Sequence, residues 1–205
     1  MIQTPEPGQR DTRYRILNAT AQVILECGIR DGTVAQILLA AQVSRRTFYQ
    51  HFKSMEDALV VLYEQVTERL VFALGEALRG TRNPALKTEN AVNAYLQFER
   101  EGGVVLISLQ AEAVRSDSML GPRRQWTLDA LTALIDETMV EISGLHIDPL
   151  VFRTLMLATE SLVIDVQTKG SFTAEDEERL RAVLQPIYLY VLAAAPYLPK
   201  REDSA

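Results

Sequence analysis

Two cap residues and two phenylalanines leave the stretch Thr33 to Phe52, TVAQILLAAQVSRRTFYQHF, little room for anything but two short helices joined by a tight turn. Thr33 follows Gly32 and can cap the first helix, whose apolar positions Val34, Ile37, Leu38 and Ala41 recur every three or four residues. Ser44 can cap the second, and there Phe48 and Phe52 fall on a common side. Arg45, Arg46, Thr47, Tyr49, Gln50 and His51 are then left for a partner. A buried first helix and a second helix with a basic, hydrogen-bonding outer face is how a chain offers a helix to the major groove of DNA.

The same residues, continued through Lys53-Ser54-Met55-Glu56-Asp57-Ala58-Leu59, resemble the DNA-binding half of TetR-type helix-turn-helix transcriptional regulators. Thr33, Val34, Ile37, Ala41, Val43, Ser44, Thr47, Phe48, Tyr49, His51, Phe52, Ser54, Glu56 and Leu59 fall in register with that family's pattern. Three positions depart from it. Leu38 replaces a small residue, Gln42 stands where the turn usually has Gly, and Met55 stands where a Lys often reaches phosphate. Gln42 at positive φ is mildly strained, and the change at Met55 removes one phosphate contact.

The resemblance implies an all-α protein: a three-helix head over residues 1–55, and a helical body over residues 56–205 that binds an effector and dimerises. It implies that Thr33, Ser44, Tyr49, His51 and Lys53 contact the DNA backbone and set register. Arg45, Arg46, Thr47 and Gln50 face the groove, Arg preferring guanine and Gln adenine. A two-fold dimer reads an inverted-repeat operator on double-stranded DNA. The implied function is a homodimeric repressor released by a small molecule. The alternative from another class is a DNA-anchored module that docks another protein without small-molecule control.

Charge supports a division of labour along the chain. The net charge is −6, yet Met1 to Met55 carries +3 and the remaining residues −9. A small basic head on an acidic body suits a DNA reader whose larger part stays clear of the duplex. Hydrophobic residues make up 47% and charged ones 23%, as in a globular domain. No apolar run is long enough to span a membrane, and the polar start with two prolines does not read as a signal peptide, so the expected location is the cytoplasm. Cys27 is the sole cysteine, which excludes an internal disulfide and reads as a small buried hydrophobe.

Gly and Pro punctuate the rest into helices. The first is expected over Thr12–Cys27, ending at Gly28, and a fourth runs from Ser54, with Asp57 completing its cap, towards Gly80. Further helices are expected over 84–101, 104–115, 120–143, 149–169 and 173–195, with breaks at Gly102-Gly103, near Gly121-Pro122, at Gly144 and at Gly170. Pro186 should bend the last of them. Only Met1–Gln9 and Lys200–Ala205 read as disordered.

The last two helices carry more apolar surface than one core stripe needs, and in the resembled family they form a four-helix interface. Val151, Leu155, Leu162, Leu184, Tyr188 and Val191 are the expected dimer contacts. The aromatics Tyr95, Phe98, Trp126 and Phe152, with acids in apolar surroundings at Glu99, Glu112 and Glu160, are the expected effector pocket, since a buried carboxylate needs a partner. Arg100, Arg115 or Arg153 can supply it, or a polar or cationic ligand can. Catalytic signals are missing. Neither His51 nor His146 has a ligand at metal-binding spacing, and no nucleophile-elbow, P-loop or dinucleotide motif occurs, so no metal, cofactor or enzymatic activity is expected.

Overall fold

The computed structural model describes residues 7–169 and 172–201. The chain runs α1 (Pro7–Asp31), α2 (Val34–Ala41), α3 (Arg45–His51), α4 (Met55–Leu78), α5 (Pro84–Ala113), α6 (Gly121–Ser143), α7 (Pro149–Thr168) and α8 (Ala174–Ala193), with a short 3₁₀ turn at Ala195–Tyr197. Among the described residues there is no strand, only one isolated bridge between Ile147 and Lys200. Among the described residues no helix is long and apolar enough to cross a membrane. The fold class is therefore all-α, as expected.

Glycine sets the two internal breaks. Gly28 (φ 80°, ψ 170°) interrupts α1 where that helix was expected to stop, and Gly103 (φ 50°, ψ −144°) interrupts α5 between the two helices expected there. A side chain is strained in either conformation. Pro186 lies inside α8, which continues through it. The expected break at Gly170 lies outside the described residues, as do the outer parts of both expected disordered ends. The inner parts differ from expectation: α1 already begins at Pro7, and Lys200 is bridged to Ile147.

The chain forms two compact units, each built from non-consecutive segments. Unit 1 comprises Met1–Thr67 and Val104–Arg124, and unit 2 comprises Glu68–Gly103 and Gln125–Ala205. The division expected between residues 55 and 56 falls inside unit 1. The physical reason is burial. Leu109, Ala113 and Leu120 sink into the same apolar cluster as Ile16, Leu17, Ile24, Ile37, Phe48, Phe52 and Tyr63. Within that unit Arg123 also pairs with Glu64 at 3.1 Å.

Unit 2 has two smaller apolar clusters. One joins Val92 and Leu96 of α5 to Val163 of α7 and Leu180 and Leu184 of α8; the other joins Met139, Ile147, Phe152 and Ala195. Charged groups thread this unit. Lys87 is buried and its ammonium meets Glu141 at 2.9 Å and the carbonyl oxygen of Leu78 at the end of α4. That hydrogen bond, first, and the ammonium charge hold the Glu141 carboxyl below its ordinary pKa. Glu177, also buried, is held by Arg100 at 2.9 Å and Arg181 at 2.6 Å. Two buried charges thus have the partners that burial demands.

Candidate nucleic-acid interface

The turn between α2 and α3 is built by local capping. The Thr33 hydroxyl accepts from the Gln36 amide nitrogen while the Gln36 side chain takes the Thr33 backbone N–H at 2.8 Å, a complete capping box. Ser44 accepts from Thr47 N at 3.0 Å, and the Ser44 and Thr47 hydroxyls lie 2.8 Å apart. Phe52 closes α3 through its N–H to the Phe48 carbonyl at 2.9 Å. The Ser54 hydroxyl accepts from Asp57 N at 3.2 Å, and the Asp57 carboxylate takes the Lys53 N–H at 2.8 Å, so α4 starts where the sequence placed it.

Gln42 adopts the left-handed conformation (φ 53°, ψ 48°) and is the non-glycine residue with positive φ among those described. Glycine's absence here has a structural answer that the sequence did not reveal. The Arg15 guanidinium, from α1, donates to the Ala41 carbonyl at 2.6 Å and to the Gln42 carbonyl at 3.3 Å. These are orphan acceptors at a helix C-terminus, and charge-assisted donors there also suit the helix dipole. The partners lie too far apart in the chain to leave a local pattern.

Above this scaffold α3 is sharply two-faced. Phe48 and Phe52 are buried in the head core, their rings 5.9 Å apart, while Arg45, Arg46, Tyr49, Gln50 and Lys53 are exposed and Thr47 and His51 half-buried. The Tyr49 ring meets Phe48 edge-on at 5.4 Å, which holds its phenol outward with few rotamers to lose. Thr33 and Ser44 are exposed, with their hydroxyls engaged in capping. The face therefore offers three fixed cations and several donors on a rigid support. This is a helix-turn-helix DNA-binding head.

Residues 16–60 match the family model described as bacterial regulatory proteins, tetR family. The transcriptional regulator TcmR of Streptomyces glaucescens is 31% identical over 93 residues, covering 45% of this chain and 41% of that protein. Across the curated relatives it matches, the chain spans from 40% to 59% of their length. Among solved structures, Salmonella enterica GusR superposes with a TM-score of 0.74 at 21% identity, covering 92% of this chain and 98% of that one. Bacillus subtilis FadR, solved in complex with stearoyl-CoA, gives 0.67 at 20% identity, covering 89% and 98%. Residues 16–60 therefore carry the helix-turn-helix head described by the tetR family model.

The expected effector residues do not all come together. Tyr95, Glu99 and Glu160 do: the Tyr95 phenol is pushed well above its ordinary pKa by burial first, then by the charge of Glu99, with Glu160 and Tyr188 adding to it. Phe98 is half-buried on the same helix. Glu112 belongs to unit 1 and pairs with Arg115 at 3.6 Å. Phe152 is buried in the other apolar cluster of unit 2, and Trp126 is 44% exposed. Of the arginines expected to answer the acids, Arg100 goes to Glu177 and Arg153 to Asp129.

The expected dimer residues also divide. Leu184 is buried in its own unit's core, which removes it from any interface, and Tyr188 packs on that core with its hydroxyl 2.9 Å from Thr159. Val151, Leu155 and Val191 are half-buried and Leu162 exposed. The open apolar surface of α8 is instead Val183, Ile187 and Tyr190, one helical side round from Leu184, with Leu189 exposed on the far side of the helix. Cys27 is partly buried, its sulfur accepting from the Gln36 amide at 3.1 Å. No group of His, Cys, Asp or Glu that could hold a metal is found among the described residues.

Proposed function

We propose that this protein is a cytoplasmic, homodimeric repressor that binds an inverted-repeat operator on double-stranded DNA and leaves it when a small molecule enters the C-terminal body. The observation that carries the DNA half is the exposed face of Arg45, Arg46, Tyr49 and Gln50 on α3, with exposed Lys53 just beyond its end, anchored by buried Phe48 and Phe52. Backbone contacts from Thr33, Ser44, Tyr49, His51 and Lys53 set the register, and Arg45, Arg46, Thr47 and Gln50 read bases.

Dimerisation through α7 and α8 is supported by their open apolar residues, Leu162, Val183, Ile187 and Tyr190 among them. Effector control is supported by the buried polar group around Tyr95 and Glu99, and by the stearoyl-CoA found in the related FadR fold. An effector acts by favouring one body shape over another, which changes the spacing of the paired heads.

Selection of bound genomic fragments by the purified protein tests the DNA half. Fragments sharing an inverted repeat with half-sites about one helical turn apart, or somewhat more, are the expected yield. Arg46→Ala is expected to weaken binding and lower the salt slope by about one while leaving helicity intact. An Arg46→Ala, Tyr49→Ala double variant that holds the same DNA as tightly as wild type overturns the assignment. Ile187→Asp, on the open face of α8, is expected to give monomers by sedimentation.

A further inference from the structure

The arginines on α1 are not equivalent. Arg15 commits its guanidinium to the Ala41 and Gln42 carbonyls of its own fold. Arg13, two residues earlier, is exposed, and its guanidinium lies over the Phe52 ring, 5.1 Å from the centroid. Among the described residues no carboxylate is paired with it.

A carboxylate and an aromatic ring hold a guanidinium in different ways. The carboxylate cancels its charge and occupies its donors. The ring attracts it through the negative face of its quadrupole, leaving the charge standing and the N–H groups open. Arg13 is therefore held and still available. The ring that holds it is itself fixed, since Phe52 is 2% exposed and packs 5.9 Å from Phe48. A cation placed in this way loses little rotamer freedom when it meets a partner.

Its position names that partner. Phe52 closes α3, and Lys53, the next residue, is exposed, so Arg13 and Lys53 put two cations at the C-terminal end of the helix that carries Arg45 and Arg46 at its start. α3 has seven residues and is roughly 10 Å long, close to the roughly 12 Å width of the major groove, which brings charges at its ends to the flanking phosphates. Arg13 arrives from another helix, past the last turn of α3, and so faces backbone rather than base edges. The acids that follow are turned to the start of α4: Asp57 takes the Lys53 N–H at 2.8 Å, and a hydrogen bond from Ser54 holds Glu56 below its ordinary pKa. Met55 is buried in the head core and brings no charge.

We propose that Arg13 is a further DNA contact of this head, binding a backbone phosphate beside the C-terminal end of α3 while Phe52 holds it in position. This rests on the DNA-binding reading above and extends the contact surface to α1.

The test measures the affinity of the full chain for the selected DNA and for an unrelated duplex across a salt series. Arg13→Met keeps a side chain over Phe52 and removes the charge. For each head bound it is expected to weaken both duplexes about fivefold at physiological salt and to lower the salt slope by about one. Arg13→Lys, which restores a cation, is expected to restore the slope, a rescue that a purely structural role would not show. Arg30→Ala, which removes an exposed cation farther along α1, is expected to leave the slope unchanged. An Arg30→Ala loss as large as that of Arg13→Met overturns the contact, because the effect is then one of general charge. A wild-type slope in Arg13→Met, with the slope lowered in Arg46→Ala, also overturns it and leaves DNA binding through α3 standing. A wild type that binds neither duplex at any salt overturns the DNA-binding reading itself.

Discussion

The two units bury different things. Unit 1 fills one continuous cluster with aliphatic and aromatic side chains, and its buried polar residues are neutral: Thr20, Thr67 and Gln110, with both threonine hydroxyls bonded back to their own helices. Unit 2 divides its apolar residues into two smaller clusters and buries Lys87, Glu99 and Glu177 beside them. A closely packed apolar core has one good arrangement, because any displaced methyl group leaves a void. Buried charges that share more than one partner, as Lys87 and Glu177 do, can redistribute among them, so a core laced with them has more than one arrangement of similar energy. The contrast assigns rigidity to the helix-turn-helix head and adaptability to the unit in which effector control is proposed.

Substitutions at four positions sharpen or break this contrast. Phe48→Ala empties the centre of the head core and should cost about 3–5 kcal/mol in urea unfolding, enough to abolish DNA binding at ordinary temperature. A loss below about 1 kcal/mol would mean that the head repacks freely and is not the rigid partner. Lys87→Met removes the buried ammonium from Glu141 and from the Leu78 carbonyl, and about 1–3 kcal/mol of stability should go with it.

The same variant carries a pH signature. Glu141 is held below its ordinary pKa in the folded protein, so its contribution is full above the unfolded carboxylate pKa and fades as pH falls through the lower, folded one. Wild type should therefore lose stability faster than Lys87→Met on acidification. Parallel pH curves would remove the ion pair from the account.

Smaller effects are expected at the turn. Arg15→Ala should cost about 1–2 kcal/mol by leaving the Ala41 and Gln42 carbonyls to water, and Arg15→Lys should recover part of it, since one guanidinium nitrogen makes both bonds and an ammonium has donors enough for both. Gln42→Gly should raise stability by up to about 1 kcal/mol, since glycine adopts the left-handed turn without strain. A destabilised Gln42→Gly would show that the Gln side chain itself supports the turn.

Local features were legible in the sequence, and long-range ones were not. Thr33, Ser44 and Ser54 announced three helix starts because capping is an exchange among residues three or four apart. Gly28 and Gly103 announced breaks because few other residues tolerate their backbone angles. Glu99 stood out as an acid in apolar surroundings, and it is fully buried. By contrast, Glu177 sits in an acidic first turn that reads as solvated surface; its partner Arg181 is one turn on in the same helix, but Arg100 reaches it from 77 residues away, a pairing the sequence does not display. Leu184 and Ile187 share one apolar pattern, yet one is core and the other open, since periodicity marks a stripe without saying which edge of it is covered. The dependence of the head on Leu109 and Leu120 left no local trace for the same reason.

That dependence bears on inheritance. A recombination event joining a foreign effector region after residue 60 would transfer the whole family-matched segment and still deliver a gene product short of Leu109, Ala113 and Leu120. Swapping specificities between such regulators by one crossover is thus penalised in the core of the head. Lineages should instead exchange recognition helices, or retune the effector region around an inherited 104–124 stretch.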